Sequence, residues 1–434
     1  MTDFLTINPP SKLKGAIKVP GDKSVSHRAV LIGSLAEGET NVENFLRSAD
    51  CISTINCMRG LGVEINEKET SINITGRGLN LKPPRRPLDA GNSGTTARLI
   101  LGILAGQSFR SELTGDDSLT RRPMLRVVHP LREMGAKIAG KQDGDQLPLI
   151  IEGGELTPIE YDLPVPSAQV KSAILLAGLF AEGRTQVREF RPTRDHTERM
   201  LKSFGVEMDE EDELVKTVQS PVRLKGSNLQ VPGDISSAAF FMVASAIVPG
   251  SEVLLEKVGI NPTRTGIIEA LRQMGASIEI ENLDYLGEEP VADIRVTGNN
   301  VLRGITLEGS IIPRIIDEIP ALAVAALVAK GTTEIKDAEE LRVKESDRIE
   351  TLTQELSRLG ARIEPQPDGL LIEGYHPLFG ADCESHGDHR LAMALSIAAL
   401  IASGETRINS VSSAEISYPR FIDDLCSLMI NEGS

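Results

Sequence analysis

An α/β fold of two similar lobes, each built from three βαβαββ repeat units and so six units in all, is what this 434-residue sequence predicts. Three observations carry the prediction. Six helices rich in small residues, Ser24 to Ala36, Gly94 to Ala105, Ser167 to Ala181, Asp234 to Val248, Ile315 to Ala329 and Asp388 to Ser403, run into Gly38, Gly106, Gly183, Gly250, Gly331 and Gly404. Helix ends often need the left-handed conformation that glycine adopts freely. Five second helices close on a hydrophobic residue and a glycine, at Leu61-Gly62, Met134-Gly135, Phe204-Gly205, Met274-Gly275 and Leu359-Gly360, roughly 70 to 85 residues apart, the signature of an internal repeat. Finally, Val19-Pro20-Gly21-Asp22 returns as Val231-Pro232-Gly233-Asp234, each time between a strand and a small-residue helix, which puts three units in each half.

Hydrophobic periodicity orders the first unit as a strand at Ala16 to Val19, the helix from Ser24, a strand at Thr40 to Phe45, a helix from Ala49, and short strands at Val63 to Ile65 and Ile72 to Ile74. Units two to five repeat this order. Unit six stops after its second helix, near Phe421 to Met429, and Phe4 to Lys14 is expected to supply the missing edge. Residues 1–18 are therefore expected to pack with the C-terminal lobe, with residues 19–230 forming the first lobe and residues 231–434 the second. The two VPGD segments are candidate crossovers: proline and glycine permit a hinge there and are equally the punctuation of a strand-to-helix turn. The acidic run Asp209 to Glu213 reads as a solvated turn between strands.

Composition excludes several classes of function. A formal net charge of −16 repels polyanions, and 3% aromatics with no Trp leaves few platforms for stacking bases, so nucleic acid is not an expected partner. The longest apolar stretches, such as Ile319 to Ala329, fall well short of the roughly 20 residues that span a bilayer, so a cytoplasmic protein without a membrane partner is expected. Cys51, Cys57, Cys383 and Cys426 show no CxxC and no ligand-like spacing with the histidines, which indicates neither a disulfide frame nor a metal site. Lysine and arginine nevertheless cluster beside Gly, Ser and Thr at helix starts, and that contrast with the acidic background points to small anionic ligands.

The polar residues that interrupt the repeat gather at the N-termini of the first helices: Lys23-Ser24, Asn92-Ser93-Gly94-Thr95, Ser167-Ala168-Gln169, Asp317-Glu318 and Asp388-His389-Arg390. Unpaired N–H groups and a partial positive charge make a helix start a receptor for phosphate or carboxylate. Ser, Thr, Asn and Asp there are equally ordinary caps. Lys23, Arg28 and Arg390 are different, because a cation opposes the helix dipole and costs stability unless an anion answers it. The second helices add Thr120-Arg121-Arg122-Pro123, Thr193-Arg194-Asp195-His196 and Arg342 to Arg348, where Lys344 and Arg348 stand four apart and so share a helical face, with Glu345 one position round. A salt-bridged, solvated face is the plainer account of that last stretch. Gly21-Asp22-Lys23-Ser24 lacks the GK pair and the upstream glycine spacing of a P-loop, so ATP binding is rejected. His27 and His196 read as structural, and His389, beside Arg390, as a candidate ligand contact. No Ser-His-Asp or Cys-His order can be assigned.

The segments GDKSVSHR (21–28), GNSGTTAR (91–98), TRRP (120–123), SAQVKSAILLAG (167–178), TRDHTE (193–198), IDEIP (316–320), LRVKESDR (341–348) and GDHRLAMA (387–394), in this order, resemble the 5-enolpyruvylshikimate-3-phosphate synthases, the 3-phosphoshikimate 1-carboxyvinyltransferases, over essentially the whole length. The resemblance implies an enolpyruvyl transferase-like fold of two three-unit lobes that close on substrate, and a monomer. It implies transfer of the carboxyvinyl group of phosphoenolpyruvate to the 5-hydroxyl of shikimate 3-phosphate, with release of phosphate. Carried onto matching positions, it implies that Lys23, Ser24, Arg28, Ser167, Ala168, Gln169, Arg194, Asp317 and Lys344 hold shikimate 3-phosphate. Phosphoenolpyruvate would be held by Lys23, Gly94, Arg122, Gln169, Arg348 and Arg390. Asp317 would accept the hydroxyl proton, and Lys23 with Glu345 would manage protons at the enol methylene. Both substrates carry phosphate and carboxylate, which guanidinium groups bind bidentately, and addition through a tetrahedral intermediate needs an acid and a base but no metal or cofactor.

Ala168 in place of a second serine, TRDHTE in place of a tyrosine-bearing stretch, and Ile416 in place of a lysine resemble the second branch of that family. Gly94 stands where a methyl group would crowd the inhibitor glyphosate. The nearest rival, UDP-N-acetylglucosamine enolpyruvyl transferase, has a catalytic-cysteine loop, whereas Gly115 to Arg122 contains no Cys. A non-catalytic repeat scaffold would leave the basic helix starts unexplained.

Overall fold

The computed structural model describes residues 3–209, 212 and 214–431. Glu210, Glu211 and Glu213 of the acidic run expected to form a turn lie outside the described residues. The chain divides into two compact units. The first comprises Gly21–Pro232 and Tyr285–Glu289, and the second Met1–Pro20, Gly233–Asp284 and Pro290–Ser434.

In the first unit the helices are α1 (Lys23–Leu35), α2 (Ala49–Gly60), α3 (Gly94–Ala105), α4 (Leu125–Glu133), α5 (Ala168–Gly178) and α6 (His196–Ser203). In the second they are α7 (Ile235–Ile247), α8 (Gly266–Met274), the single turn α9 (Ile312–Ile315), α10 (Ile319–Val328), α11 (Arg348–Arg358), α12 (His389–Ala399) and α13 (Phe421–Leu428). Helices α1, α3 and α5, and likewise α7, α10 and α12, are buried on nearly every face, which is why their sequences are small and apolar all round instead of striped. Small residues let these helices approach closely. A Cβ on Gly102 would lie 2.2 Å from the carbonyl oxygen of Ala173, so α3 and α5 touch backbone to backbone there. The second helices α2, α4, α6, α8 and α11 bury one face only. Each unit has its own hydrophobic core.

Among the described residues the strands form six small sheets. In Leu88–Asp89/Arg110–Thr114/Gln146–Glu152/Lys137–Lys141, the strand before the first helix runs parallel to the strand after it, and the closing hairpin adds two antiparallel strands. Sheets beginning at Glu160–Asp162 and at Thr306–Leu307 repeat this order. The units that open each half depart from it. The strand leading into α1, Lys12–Ile17, runs parallel to Glu252–Gly259, while Glu37–Glu43, which follows α1, takes Asn228–Gln230 as its parallel neighbour. Phe4–Ile7 runs antiparallel to Thr406–Asn409, and Lys12-Leu13 pairs with Met429-Ile430.

Five of the six glycines after first helices have positive φ; Gly106 does not, at φ −87°. There glycine answers packing, since a Cβ would lie 2.2 Å from Cγ of Phe180. All five glycines after second helices have positive φ. Two expected helices prove different. The helix expected over Ile315 to Ala329 is broken at residues 316–318, because the Pro320 ring has no N–H and clashes with the carbonyl four residues back. Helix α11 begins at Arg348, where Asp347 caps it by accepting from the Glu350 amide at 3.1 Å, so Lys344 lies before the helix at the end of a 3₁₀ turn over Glu339–Val343 and does not share its face with Arg348.

Candidate active site

In the first unit, contacts at matching positions bring the N-termini of α1, α3 and α5 to one end. Arg98 Nη1 donates to Gln169 Oε1 at 2.7 Å, Gln169 Nε2 donates to Thr95 Oγ1 at 3.1 Å, and Arg28 Nη2 donates to Ser172 Oγ at 3.0 Å. Asp22, Ser93 and Ser167 cap the three helices through backbone amides, so the capping reading of these residues is correct for them. The cations there need another account. Lys23 Nζ lies 3.0 Å from Asp50 Oδ2, both half-buried. Arg28 is buried; its Nε donates to Thr197 Oγ1 at 2.7 Å and its Nη1 to the Ser24 carbonyl at 3.0 Å. Burial pulls its pKa down to about 10, with Glu198 and Asp22 opposing, and it stays a cation at neutral pH. Arg122 Nη2 donates to Asn92 Oδ1 at 2.9 Å. A Cβ on Gly94 would lie 3.1 Å from Arg98 Nη1 and 3.5 Å from Arg122 Nη1, so the bare glycine backbone stands beside two guanidinium groups.

The second unit concentrates charge around Asp317. One oxygen, Oδ1, lies 3.9 Å from Lys344 Nζ, 3.9 Å from Arg348 Nη1 and 3.9 Å from Arg390 Nε. A single pair at this distance carries about 4 kcal/mol of Coulomb attraction at an effective dielectric near 20. That exceeds the roughly 0.3–1 kcal/mol offered by a helix end, so the side-chain cations dominate the local field. Arg348, 1% exposed, is fixed from behind: Nε and Nη2 bind Asp388 at 2.8 and 3.1 Å, and Nη2 donates to Glu345 Oε2 at 2.7 Å. Burial opposes the charge on Arg348, but Asp388 and Glu345 outweigh it and raise its pKa. Burial likewise pushes the Asp388 carboxyl up, and Arg348 outweighs that to hold it at about 2. Asp388 also caps α12 by accepting from the Arg390 amide at 2.9 Å, which aligns Arg348 and Arg390 through one carboxylate. Lys344 Nζ donates to Glu340 Oε1 at 3.2 Å.

A family model described as EPSP synthase (3-phosphoshikimate 1-carboxyvinyltransferase) matches residues 7–425. The chain belongs to the EPSP synthase family. A relative from Desulforamulus reducens named 3-phosphoshikimate 1-carboxyvinyltransferase is 54% identical over 428 residues, covering 98% of this chain and 99% of its own. One of the same name from Synechococcus elongatus is 54% identical over 432 residues, covering 98% and 96%. A solved EPSP synthase from Acinetobacter baumannii aligns at a TM-score of 0.88 with 47% identity over 99% of each chain.

The residues that resemblance to EPSP synthases singles out fall into two groups. Lys23, Ser24, Arg28, Gly94, Arg122, Ser167, Ala168, Gln169 and Arg194 lie in the first unit, and Asp317, Lys344, Glu345, Arg348 and Arg390 in the second. His27 is a core residue: its Nδ1 lies 2.7 Å from Thr54 Oγ1, and burial pushes its pKa down to about 3. His196 Nδ1 lies 2.7 Å from Glu289 Oε1, and His389 is buried at the start of α12. Burial pushes the Cys51, Cys57 and Cys383 thiols up to about 12, which removes them as nucleophiles. Among the described residues no cluster of His, Cys, Asp and Glu could hold a metal ion, and no helix is long and apolar enough to cross a membrane.

Sequence reasoning missed Asp50, Arg98 and the orienting role of Asp388. Arg98 had a local signal, since it stands four residues after Gly94 and so returns to the helix start on the same face. Asp388 had one in its cap position next to Arg390. Asp50 had none: it meets Lys23 across 27 residues, which no local pattern reports.

Proposed function

We propose that this enzyme transfers the carboxyvinyl group of phosphoenolpyruvate to the 5-hydroxyl of shikimate 3-phosphate, giving 5-enolpyruvylshikimate 3-phosphate and phosphate. The observation that carries the reading is the arrangement at Asp317: a half-buried carboxylate amid Lys344, Arg348 and Arg390, a base set among groups that attract phosphate and carboxylate. The names of the relatives support the same reaction.

On this reading Arg122, Arg348, Arg390, Gln169 and the backbone at Gly94 hold phosphoenolpyruvate, while Ser24, Arg28, Ser167, Ala168, Gln169, Arg194 and Lys344 hold shikimate 3-phosphate. Lys23 contacts both. Asp317 takes the proton of the 5-hydroxyl as its oxygen attacks C2 of phosphoenolpyruvate, and a proton delivered to the methylene carbon completes the addition. Loss of that proton from the resulting methyl group, with departure of phosphate, restores the double bond in the product. Lys23 and Glu345 carry these methylene protons, the ammonium as acid and the carboxylate as base. Asp50 holds the Lys23 ammonium, and Asp388 holds Arg348, so neither has to be ordered when substrate arrives.

We further place the enzyme in the cytoplasm as a monomer with no membrane partner, and with no nucleic-acid partner, in keeping with its formal net charge of −16. Phosphate release from phosphoenolpyruvate, measured with and without shikimate 3-phosphate, tests the reading, and release only with UDP-N-acetylglucosamine would transfer the assignment to the related enolpyruvyl transferase.

A further inference from the structure

Lys171 sits in the first turn of α5, fully buried, and none of the chemistry above uses it. Its ammonium lies 2.8 Å from Glu189 Oε2 and 2.8 Å from Glu198 Oε1, and donates to the Thr193 carbonyl at 3.5 Å. Of its three N–H donors, one goes to Glu189 and one to the Thr193 carbonyl, while Glu198 meets it as an ion pair. Thr193 Oγ1 in turn donates to the other oxygen of Glu189. Both carboxylates are buried. Burial opposes the charge on Lys171, but Glu198 and Glu189 outweigh it and raise its pKa.

The cluster has one more carboxylate than it has cations. The balance comes from Arg28, whose charge burial opposes and Glu198 supports above all other groups. Glu198 thus supports the charge of both Lys171 and Arg28. Geometry gives the same connection: Thr197, next to Glu198, accepts from Arg28 Nε at 2.7 Å and shares a hydrogen bond of 2.7 Å with Ser172, the residue after Lys171. The segment from Thr193 to Glu198 is therefore clamped at both ends, at Thr193 through its carbonyl and hydroxyl and at Glu198 through its carboxylate. Arg194 stands inside the clamp.

We propose that Lys171, Glu189 and Glu198 form a positioning device that fixes Arg28 and Arg194 for the phosphorylated ring substrate. The inference rests on the reading that these two arginines hold shikimate 3-phosphate. The three residues touch no substrate themselves; they set the distance between α1 and the 193–198 segment, and with it the spacing of two guanidinium groups that must meet one ligand.

Steady-state kinetics of Glu198→Gln, which keeps the side-chain volume and removes the charge, tests this. The KM for shikimate 3-phosphate is expected to rise about tenfold while the KM for phosphoenolpyruvate stays near its wild-type value. A second variant, Lys171→Met with Glu189→Gln and Glu198→Gln, removes cation and carboxylates together and is expected to show the same split. Equal rises in both KM values, an unchanged KM for shikimate 3-phosphate in either folded variant, or failure of both variants to fold would overturn the proposal, the last by making the cluster a support of the fold alone. Wild-type enzyme assayed in parallel separates the two ideas, because absence of shikimate 3-phosphate-dependent phosphate release there sinks the reaction itself and not the positioning role.

Discussion

At the level of single side chains, the site is governed by how the protein's own carboxylates manage cations collected for anionic substrates. Lys23 rests on Asp50, Arg348 on Asp388 and Glu345, and Asp317 faces three cations at once. Lys23→Ala and Asp317→Ala are each expected to lower kcat by about 10²–10⁴ while leaving the circular dichroism spectrum unchanged, since proton transfer by a placed side chain contributes on that order; near-wild-type turnover in either would remove the role given to that residue. Asp388 adds a pH dependence. Its folded-state pKa of about 2 lies below the ordinary 3.8, so the stability it contributes is present above the ordinary value and is lost as pH falls through about 2. Asp388→Asn, which leaves Arg348 buried with less compensation, is expected to cost about 3–5 kcal/mol at neutral pH, and melting curves from neutral pH down through about 2 should show a smaller acid loss in the variant than in the wild type. Lys23, Arg28 and Arg390 were legible in the chain, because GDKSVSHR and GDHRLAMA put cations where a helix start should repel them. What could not be read was the pairing of Lys23 with Asp50 and of Arg348 with Asp388, since a contact across tens of residues leaves no periodic trace.

Helices and strands were legible to different degrees for identifiable reasons. Gly94–Ala105 is the helix expected to the residue, because Ser93 caps one end by accepting from Thr96 and Gly106 closes the other. The helix around Asp317 was misjudged because the apolar pattern runs unbroken through Pro320, whose ring forbids what the pattern suggests. That break matters, as Asp317 falls in the turn between α9 and α10, where its carboxylate lies beside Lys344, Arg348 and Arg390. Strand existence followed from alternation, but strand partners did not: a period of two tells which face is buried and not what lies alongside. Close helix approach supplies a test at this scale. Gly102→Ala puts a methyl group 2.2 Å from the Ala173 carbonyl, so α3 and α5 must separate, at about 1–3 kcal/mol by analogy with overpacked cores. Gly38→Ala meets nothing within 4 Å and suffers only its positive φ, for which about 1 kcal/mol is expected. Thermal melting that ranked the two substitutions in the reverse order would contradict the packing account of Gly102.

For the whole chain, the decisive fact is which strand lies beside which. Lys12–Ile17 runs alongside Glu252–Gly259, and Phe4–Ile7 alongside Thr406–Asn409, while Asn228–Gln230 closes the sheet that contains Glu37–Glu43. Deleting residues 3–17 should therefore leave amide exchange slow at Glu37–Glu43 and make it fast at Glu252–Gly259 and Thr406–Asn409; loss of protection in Glu37–Glu43 instead would contradict the pairing. The order of the chain thus hides a nesting. Residues 21–232 form an almost self-sufficient insert, lacking only a five-residue strip at 285–289, whereas the host around them is spelled out in separate pieces. A fragment of residues 21–232 keeps three complete sheets. One that starts at Gly233 leaves the Glu252–Gly259 strand without its parallel neighbour, a bare row of amides and carbonyls of the kind that recruits other chains into aggregates.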